Sequence, residues 1–377
     1  MRRLMLLGFA VTTLACSSGG GGSQGGAGGG GGAGGGSGCE DVMSSAENCG
    51  TCGHSCLGGT CLAGLCQPVT LAEDVKGTWL AVDDSYVYAS EGDWDLVVRV
   101  PKSGGASEQI GSAAVPMGIV ATPRGVFWSY RGGSTYANQG AIMHVPSGST
   151  TSEVFLQPAN MPCGVAADDT YLYWSDQGSL ATGQTDGRIR RMPLAGGADE
   201  TVVDNVGAPC YLAVDGESVY FFDFGDILLG DTPRLVKAPK SGGTEVTLVA
   251  AIESPQGLAL DPKSVYWTNQ SSETDSFNHV DSVEGVALDG SKGFKVAPGE
   301  RWPTSLVVDA KLAYWLTQNG ELRRAPLDGS AAAVTIYSDP SNPSTVLDSI
   351  TQDATALFVG VGDSGSMLSG KLVKIAK

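Results

Sequence analysis

The chain has 377 residues, of which 55 are Gly, 40 Asp or Glu, 23 Lys or Arg and only 3 His, giving a formal charge of −17. That acidity excludes a basic nucleic-acid footprint, and so few histidines leave little room for a multi-histidine metal centre. Charged residues are sparse at 17%, so apolar and turn-forming residues must organise most of the length.

Met1, Arg2 and Arg3 make a short positive region, followed by an apolar run over 4–14 and then Ala15-Cys16. About eleven apolar residues are too few to cross a bilayer, which argues against a spanning helix. The segment 1–16 resembles a bacterial lipoprotein signal, with small Ala15 before the Cys16 that would carry the lipid and Thr13 where that family usually has Leu. An ordinary cleaved signal is the other reading. The resemblance implies an outer-membrane lipoprotein, because Ser17 rather than Asp follows the Cys. Its folded part would lie on the periplasmic side or at the cell surface, touching the membrane through the anchor alone. Residues 17–38 are almost all Gly and bury nothing, so they are expected to form a flexible tether.

Cys39, Cys49, Cys52, Cys56, Cys61 and Cys66 crowd into 39–67. The Cys49-x-x-Cys52 pair beside His54 has zinc-ligand spacing. An exported segment too short for a core is better held by disulfides, and three are expected, with fifteen pairings open. The run NCGTCGHSCLGGTCLAGLC resembles the Stig1-type cysteine-rich repeats of myxobacterial surface proteins, which implies exposure outside the cell rather than chemistry.

From 69 to 377 one pattern recurs seven times, as LAVDDSYVYAS, IVATPRGVFWS, VAADDTYLYWSD, LAVDGESVYFFD, LALDPKSVYWTN, LVVDAKLAYWLT and ITQDATALFVG. The residues closing the first apolar run are Asp83, Thr122, Asp168, Asp215, Asp261, Asp309 and Asp353, spaced by 39, 46, 47, 46, 48 and 44. Five positions later each copy carries an aromatic. Two further alternating runs follow, so each unit is predicted to be four short strands joined by Gly, Pro and Asp turns. Such units at this period are the blades of an all-β, seven-bladed propeller. The seventh unit stops at Lys377 after its third strand, and 69–75 resembles the missing fourth, so the N-terminal strand is predicted to close the last blade. The Tyr-Trp-Ser-Asp at 173–176 and Tyr-Trp-Thr-Asn at 266–269 resemble YWTD-type repeats, which implies the same architecture, although that family usually has six blades. Trp128, Trp174, Trp267 and Trp315 are expected to be core wedges between blades, and the recurrent Asp to accept backbone hydrogen bonds in its turn.

The first-to-second and third-to-fourth turns share one face and are short and uniform. The opposite face carries the second-to-third loops, which range from 91–95 to 270–284. Variable loops on a rigid scaffold are where binding residues are expected. Asp93, Asp95, Asp176, Asp223, Asp226, Glu273, Asp275 and Asp281 are candidates there; Ca²⁺ would suit such carboxylates, but no EF-hand spacing exists and no cofactor or metal is assigned. At the start of each innermost strand Thr78, Met117, Cys163, Cys210, Gln256, Thr304 and Asp348 are expected to ring the channel mouth, with Cys163 and Cys210 in a disulfide. Gly362-Asp363-Ser364-Gly365 resembles a trypsin-like protease segment, yet the accompanying His-bearing motif is absent. The expected function is therefore a membrane-tethered scaffold binding a protein or polysaccharide through its loop face. A propeller lyase or hydrolase at the channel mouth and a structural envelope component are the alternatives.

Overall fold

Seven four-stranded antiparallel sheets and one two-stranded hairpin account for all the strands in the computed structural model. It describes residues 39, 41–91, 95–112, 115–132, 139–271, 281–339, 344–363 and 366–377, with the backbone alone at 363 and 366–369. In blades one to six the sheet order follows the chain, from the innermost strand outward. The innermost strands are Trp79–Val82, Pro116–Thr122, Pro162–Ala167, Cys210–Val214, Ser254–Leu260, Pro303–Val308 and Thr345–Gln352. Each packs on its counterparts in the two adjacent blades, and the seventh returns to the first.

Closure follows the repeat arithmetic. Blade seven consists of Thr345–Gln352, Ala356–Asp363, Ser366–Ala376 and, as its outer strand, Val69–Glu73. The last two run antiparallel, with Val69 opposite Lys374 and Glu73 opposite Lys371. An outer strand from the far end of the chain ties the first residues of the propeller to the last, leaving no open seam.

The core lies between blades rather than within one sheet. Trp128, Trp174 and Trp315 are fully buried and Trp267 is 2% exposed. Because successive strand residues point to opposite faces, both faces of each second strand bury apolar side chains; Tyr173 and Trp174 illustrate it, each sitting in a different interblade cluster. Each such Trp contributes roughly 3 kcal/mol from burial alone.

The short turns are held by one device. Asp168 Oδ1 accepts from the N–H groups of Thr170 and Tyr171 at 2.8 and 2.7 Å, while its Oδ2 accepts from the Tyr173 hydroxyl at 3.0 Å. Asp83 with Tyr88, Asp215 with Tyr220, Asp261 with Tyr266 and Asp309 with Tyr314 repeat the arrangement. Blade seven has Phe358 in the Tyr position, and there Lys102 of blade one binds Asp353 at 2.6 Å instead. Lys240 of blade four likewise reaches Asp168 of blade three at 2.7 Å.

The cysteine-rich segment forms disulfides Cys39–Cys52, Cys49–Cys61 and Cys56–Cys66, with Cα separations of 5.5, 5.5 and 5.1 Å. These thiols are therefore not zinc ligands, and His54 directs Nδ1 to the Cys49 carbonyl at 2.5 Å. Residues 39–377 make one compact unit, since four of the six cysteines pack with Ala376 of blade seven. That contact is at the end of the third strand, beside the short turns. Cys16 and the tether lie outside the described residues.

Candidate functional site

The innermost strands begin on the loop-bearing face, because their first residues pair with the ends of the second strands: Pro162 with Asp176, Cys210 with Phe222, Ser254 with Gln270. Thr78 is exposed there, and Met117, Gln256, Thr304 and Asp348 are half-buried. Cys163 and Cys210 are joined in a disulfide between blades three and four, with Cα atoms 5.4 Å apart. Close approach of these strands requires Gly164, whose replacement Cβ would lie 2.9 Å from Leu212 N. Ser129 of blade two adds a hydrogen bond to the Cys163 carbonyl at 2.6 Å, and Ser349 of blade seven donates to the Gly77 carbonyl at 2.7 Å. The rim is thus cross-linked from blade to blade.

The sequence reading missed what spans this rim. Trp79 of blade one and Tyr211 of blade four follow Thr78 and Cys210, and their ring centroids are 5.9 Å apart across non-adjacent blades. Tyr211 sits at φ 52°, in the strand irregularity between Cys210 and Leu212. Its ring also meets Phe222 edge-on at 5.9 Å, and burial raises its phenol pKa. The available signal was register: the position after the rim residue is Gly or Ser in blades two, three, five, six and seven, and large only at Trp79 and Tyr211. The mouth is therefore an aromatic floor bordered by Thr78, Met117, Gln256, Thr304 and Asp348.

The acidic loop residues have a different role from a presented charged surface. Glu91 accepts from the N–H groups of Gly77 and Lys76 at 2.8 and 3.2 Å; burial raises its pKa, and Asp348 adds to the rise. Asp95 holds Val115 N at 2.8 Å, and the fully buried Asp281 holds Ser271 N and Trp302 N at 2.6 and 2.8 Å. Asp223 accepts from Gly207 N, Gly225 N and the Arg234 guanidinium, while Asp226 accepts from Leu228 N at 2.8 Å. These carboxylates fold the loops by satisfying backbone donors. Asp176 differs: it is 5% exposed, and Arg190 binds its Oδ2 at 3.2 Å, with the Asn160 backbone N–H and the Trp174 indole also favouring its charged form. Burial, only partly offset by Arg190, raises its pKa to about 6. Asp93, Glu273 and Asp275 lie outside the described residues.

Among the described residues, no three His, Asp or Glu side chains converge as metal ligands. The one trio within 4.8 Å is Cys49, Cys56 and Cys66, all disulfide-bonded. His144 is buried in blade two, stacked on Phe127 at 4.1 Å and bonded to Glu153 at 3.1 Å, well inside the wall.

No protein family matches the chain, and no curated protein is similar to it. Similar solved structures include an oligogalacturonate lyase from Vibrio parahaemolyticus, at 13% identity over 82% of this chain and 90% of that one, with a TM-score of 0.55. A gluconolactonase from Xanthomonas campestris is 16% identical over 70% of this chain and 86% of that one, with a TM-score of 0.46. The lyase shares the propeller fold with this chain; likeness at that identity extends no further.

Proposed function

We propose that this protein is a non-enzymatic binding or adhesion scaffold, which holds an envelope protein or glycan at the loop-bearing mouth of its propeller. The observation that carries the reading is the Trp79–Tyr211 floor, set in a rim cross-linked by Cys163–Cys210. Rigid aromatic surface ringed by a few polar groups suits a binding site, since little entropy is lost when a ligand lands on it. The described carboxylates near the mouth are Asp348 and Glu91, and Glu91 is already engaged by the N–H groups of Gly77 and Lys76 rather than presented to a substrate. In the same proposal, Cys16 carries the lipid and 17–38 act as the tether. The cysteine module packs beside the short turns, which leaves the loop face for a partner.

The test presents the full chain, in mild detergent, with immobilised cell-wall glycan, outer-membrane polysaccharide and outer-membrane protein fractions. Retention by one of these, weakened about tenfold or more in Trp79→Ala or Tyr211→Ala, is expected. Turnover of oligogalacturonate or of a sugar lactone without retention would replace this reading by the enzymatic one. If nothing is retained or turned over, a structural envelope role is left. Incorporation of labelled fatty acid that disappears in Cys16→Ser checks the anchor.

A further inference from the structure

Nine large hydrophobic side chains are exposed among the described residues. Met43 and Leu62 lie on the cysteine module, and Val154, Val246 and Val334 stand singly on three different outer strands. Exposed residues scattered in that way are ordinary, whereas a contiguous patch marks an interaction surface. The other four gather in one place. Ile227, Leu228 and Leu229, exposed by 42, 70 and 80%, form the crest of the second-to-third loop of blade four. Leu180, 48% exposed, opens a short helical turn in the corresponding loop of blade three. The two loops are joined, since the Ile227 N–H donates to the Gly183 carbonyl at 3.2 Å.

The crest is braced by its own backbone. All six N–H groups from Asp226 to Asp231 are bonded within the protein. That of Asp226 donates to Asp231 Oδ2 at 3.0 Å and that of Leu228 to Asp226 Oδ1 at 2.8 Å. Those of Leu229, Gly230 and Asp231 donate to the Asp226 carbonyl at 3.2, 3.0 and 3.3 Å. The loop of blade three is held likewise through the N–H groups of Ser179, Ala181, Thr182, Gly183 and Gln184. Asp226 and Asp231 each commit a carboxylate oxygen to this framework, and the side chains exposed at its crest are aliphatic. A loop that stays in water can leave its donors to the solvent; one that enters lipid must satisfy them itself.

We propose that the crest Ile227-Leu228-Leu229, with Leu180 beside it, dips into the lipid surface to which, on the reading of Cys16 as the anchor, the chain is tethered. It is a second membrane contact besides the acyl chains. A second copy of the chain fits the crest less well, because four side chains fall far short of the roughly 20–30 residues a side of a stable interface. Protein hot spots favour Trp, Tyr and Arg over Leu, and none of the four is of that kind. The chain outside the structure favours lipid. Residues 17–38 lead back to Cys16 and, fully extended, reach roughly 70–80 Å at ~3.3–3.6 Å per residue. Strands of six or seven residues are only roughly 20–25 Å long. The tether is therefore long enough for the loop face to meet the surface, although the cysteine module packs beside the short turns. A chain of formal charge −17 gains nothing from an anionic surface, so apolar contact is what sets its orientation.

The experiment places the full chain on phosphatidylcholine vesicles with a fluorophore on one added thiol, Leu229→Cys at the crest or Ser330→Cys in a short turn. Flotation reports whether the chain is on the vesicles, and intact mass whether Cys16 is acylated. The crest label should be shielded from aqueous iodide and quenched by nitroxides at shallow acyl positions, about 5–10 Å into the bilayer. The Ser330→Cys label should show neither. Leu228→Asp beside the crest label should cut the lipid quenching to the short-turn level, whereas Trp79→Ala, at the mouth, should leave it unchanged. A floating chain whose crest label stays open to iodide overturns the proposal and leaves the anchor standing; a chain that does not float overturns both. Shielding without lipid quenching also overturns it, in favour of a second copy if it rises with protein concentration and of a protein partner if it needs the outer-membrane protein fraction. Should the added thiol disturb the disulfides, a lower insertion pressure of Leu228→Asp than of the unsubstituted chain at a phosphatidylcholine monolayer carries the same test, and equal pressures overturn the proposal.

Discussion

The two faces of the propeller are built by opposite strategies. On the short-turn face a single device recurs around the ring: an Asp that caps its own turn and fixes a Tyr hydroxyl five residues on, in blades one, three, four, five and six. On the loop face no two blades are alike. Glu91 holds a connection from blade seven, Asp281 ties two loop ends, Asp223 binds Arg234 and two loop N–H groups, and Asp176 is buried beside Arg190. Uniformity marks where the fold is made, and individuality marks where a ligand would be told from its competitors. The lesson concerns acidity as well: nearly all the described acidic loop residues are occupied with backbone, so a charge count overstates the charged surface on offer.

The largest effect should come from the strand that both faces share. Deleting Val69–Glu73 strips blade seven of its outer strand, and the expected result is an aggregating chain without a cooperative thermal transition; a soluble, cooperatively folding product would contradict ring closure. Next in size is the rim. Replacing Cys163 and Cys210 together by Ser opens a loop of 47 residues and should cost about 2–4 kcal/mol in denaturant unfolding. On the short-turn face, Asp261→Ala and Asp215→Ala should each cost about 2 kcal/mol, and by similar amounts. A wide spread between them would break the claim of one repeated device.

Smaller effects separate the faces by pH. Burial raises the pKa of Asp168, but the hydrogen bonds from Lys240 and from the N–H groups of Tyr171 and Thr170 outweigh it and hold the group at about 2; Asp353, with Lys102, stands likewise at about 2. Folding lowers both, so the stability they give is present above the unfolded value of about 3.9 and is lost as pH falls through about 2. Thermal unfolding should therefore show a midpoint that drops between about pH 4 and 2, and drops less in Lys240→Met. Asp176 has the opposite sign. Its folded pKa is raised to about 6, so its contribution is full below the unfolded value and is lost as pH rises through about 6. Asp176→Asn, with Arg190, Asp199, Asp186 and Arg188 in place around it, is expected to raise the melting temperature by a few degrees at pH 7.5 and by less at pH 5. A drop at pH 7.5 would mean that the carboxylate is a stabilising ion pair.

The repeated features were legible because repetition carries its own alignment. Once Asp83 and Asp261 fall into one register, the four strands, the seven blades, the wedge Trp residues and the pairing of 69–75 with the chain end follow from period and turn chemistry. Even the cross-blade proximity of Cys163 and Cys210 is a matter of register. The Tyr hydroxyl bonds were not read, although the Asp-to-Tyr spacing of five recurs in plain view. What register cannot give is direction. Whether Asp223 and Asp176, at equivalent positions in adjacent blades, are saturated by loop backbone and arginine or lean mainly on Arg190 depends on the paths of the loops around them. The Trp79–Tyr211 contact joins blades that are not neighbours, where the period says only that each stands one place past the rim.

Hydrogen exchange of the full chain, with and without the envelope fraction that retains it, tests most directly whether the loop-bearing face is the working surface. The expected result is slowed exchange around 76–80 and 207–212 at the mouth, with unchanged exchange in the turns at 83–86, 168–171 and 261–264. Protection confined to those turns or to the cysteine module, with the mouth unaffected, would contradict it.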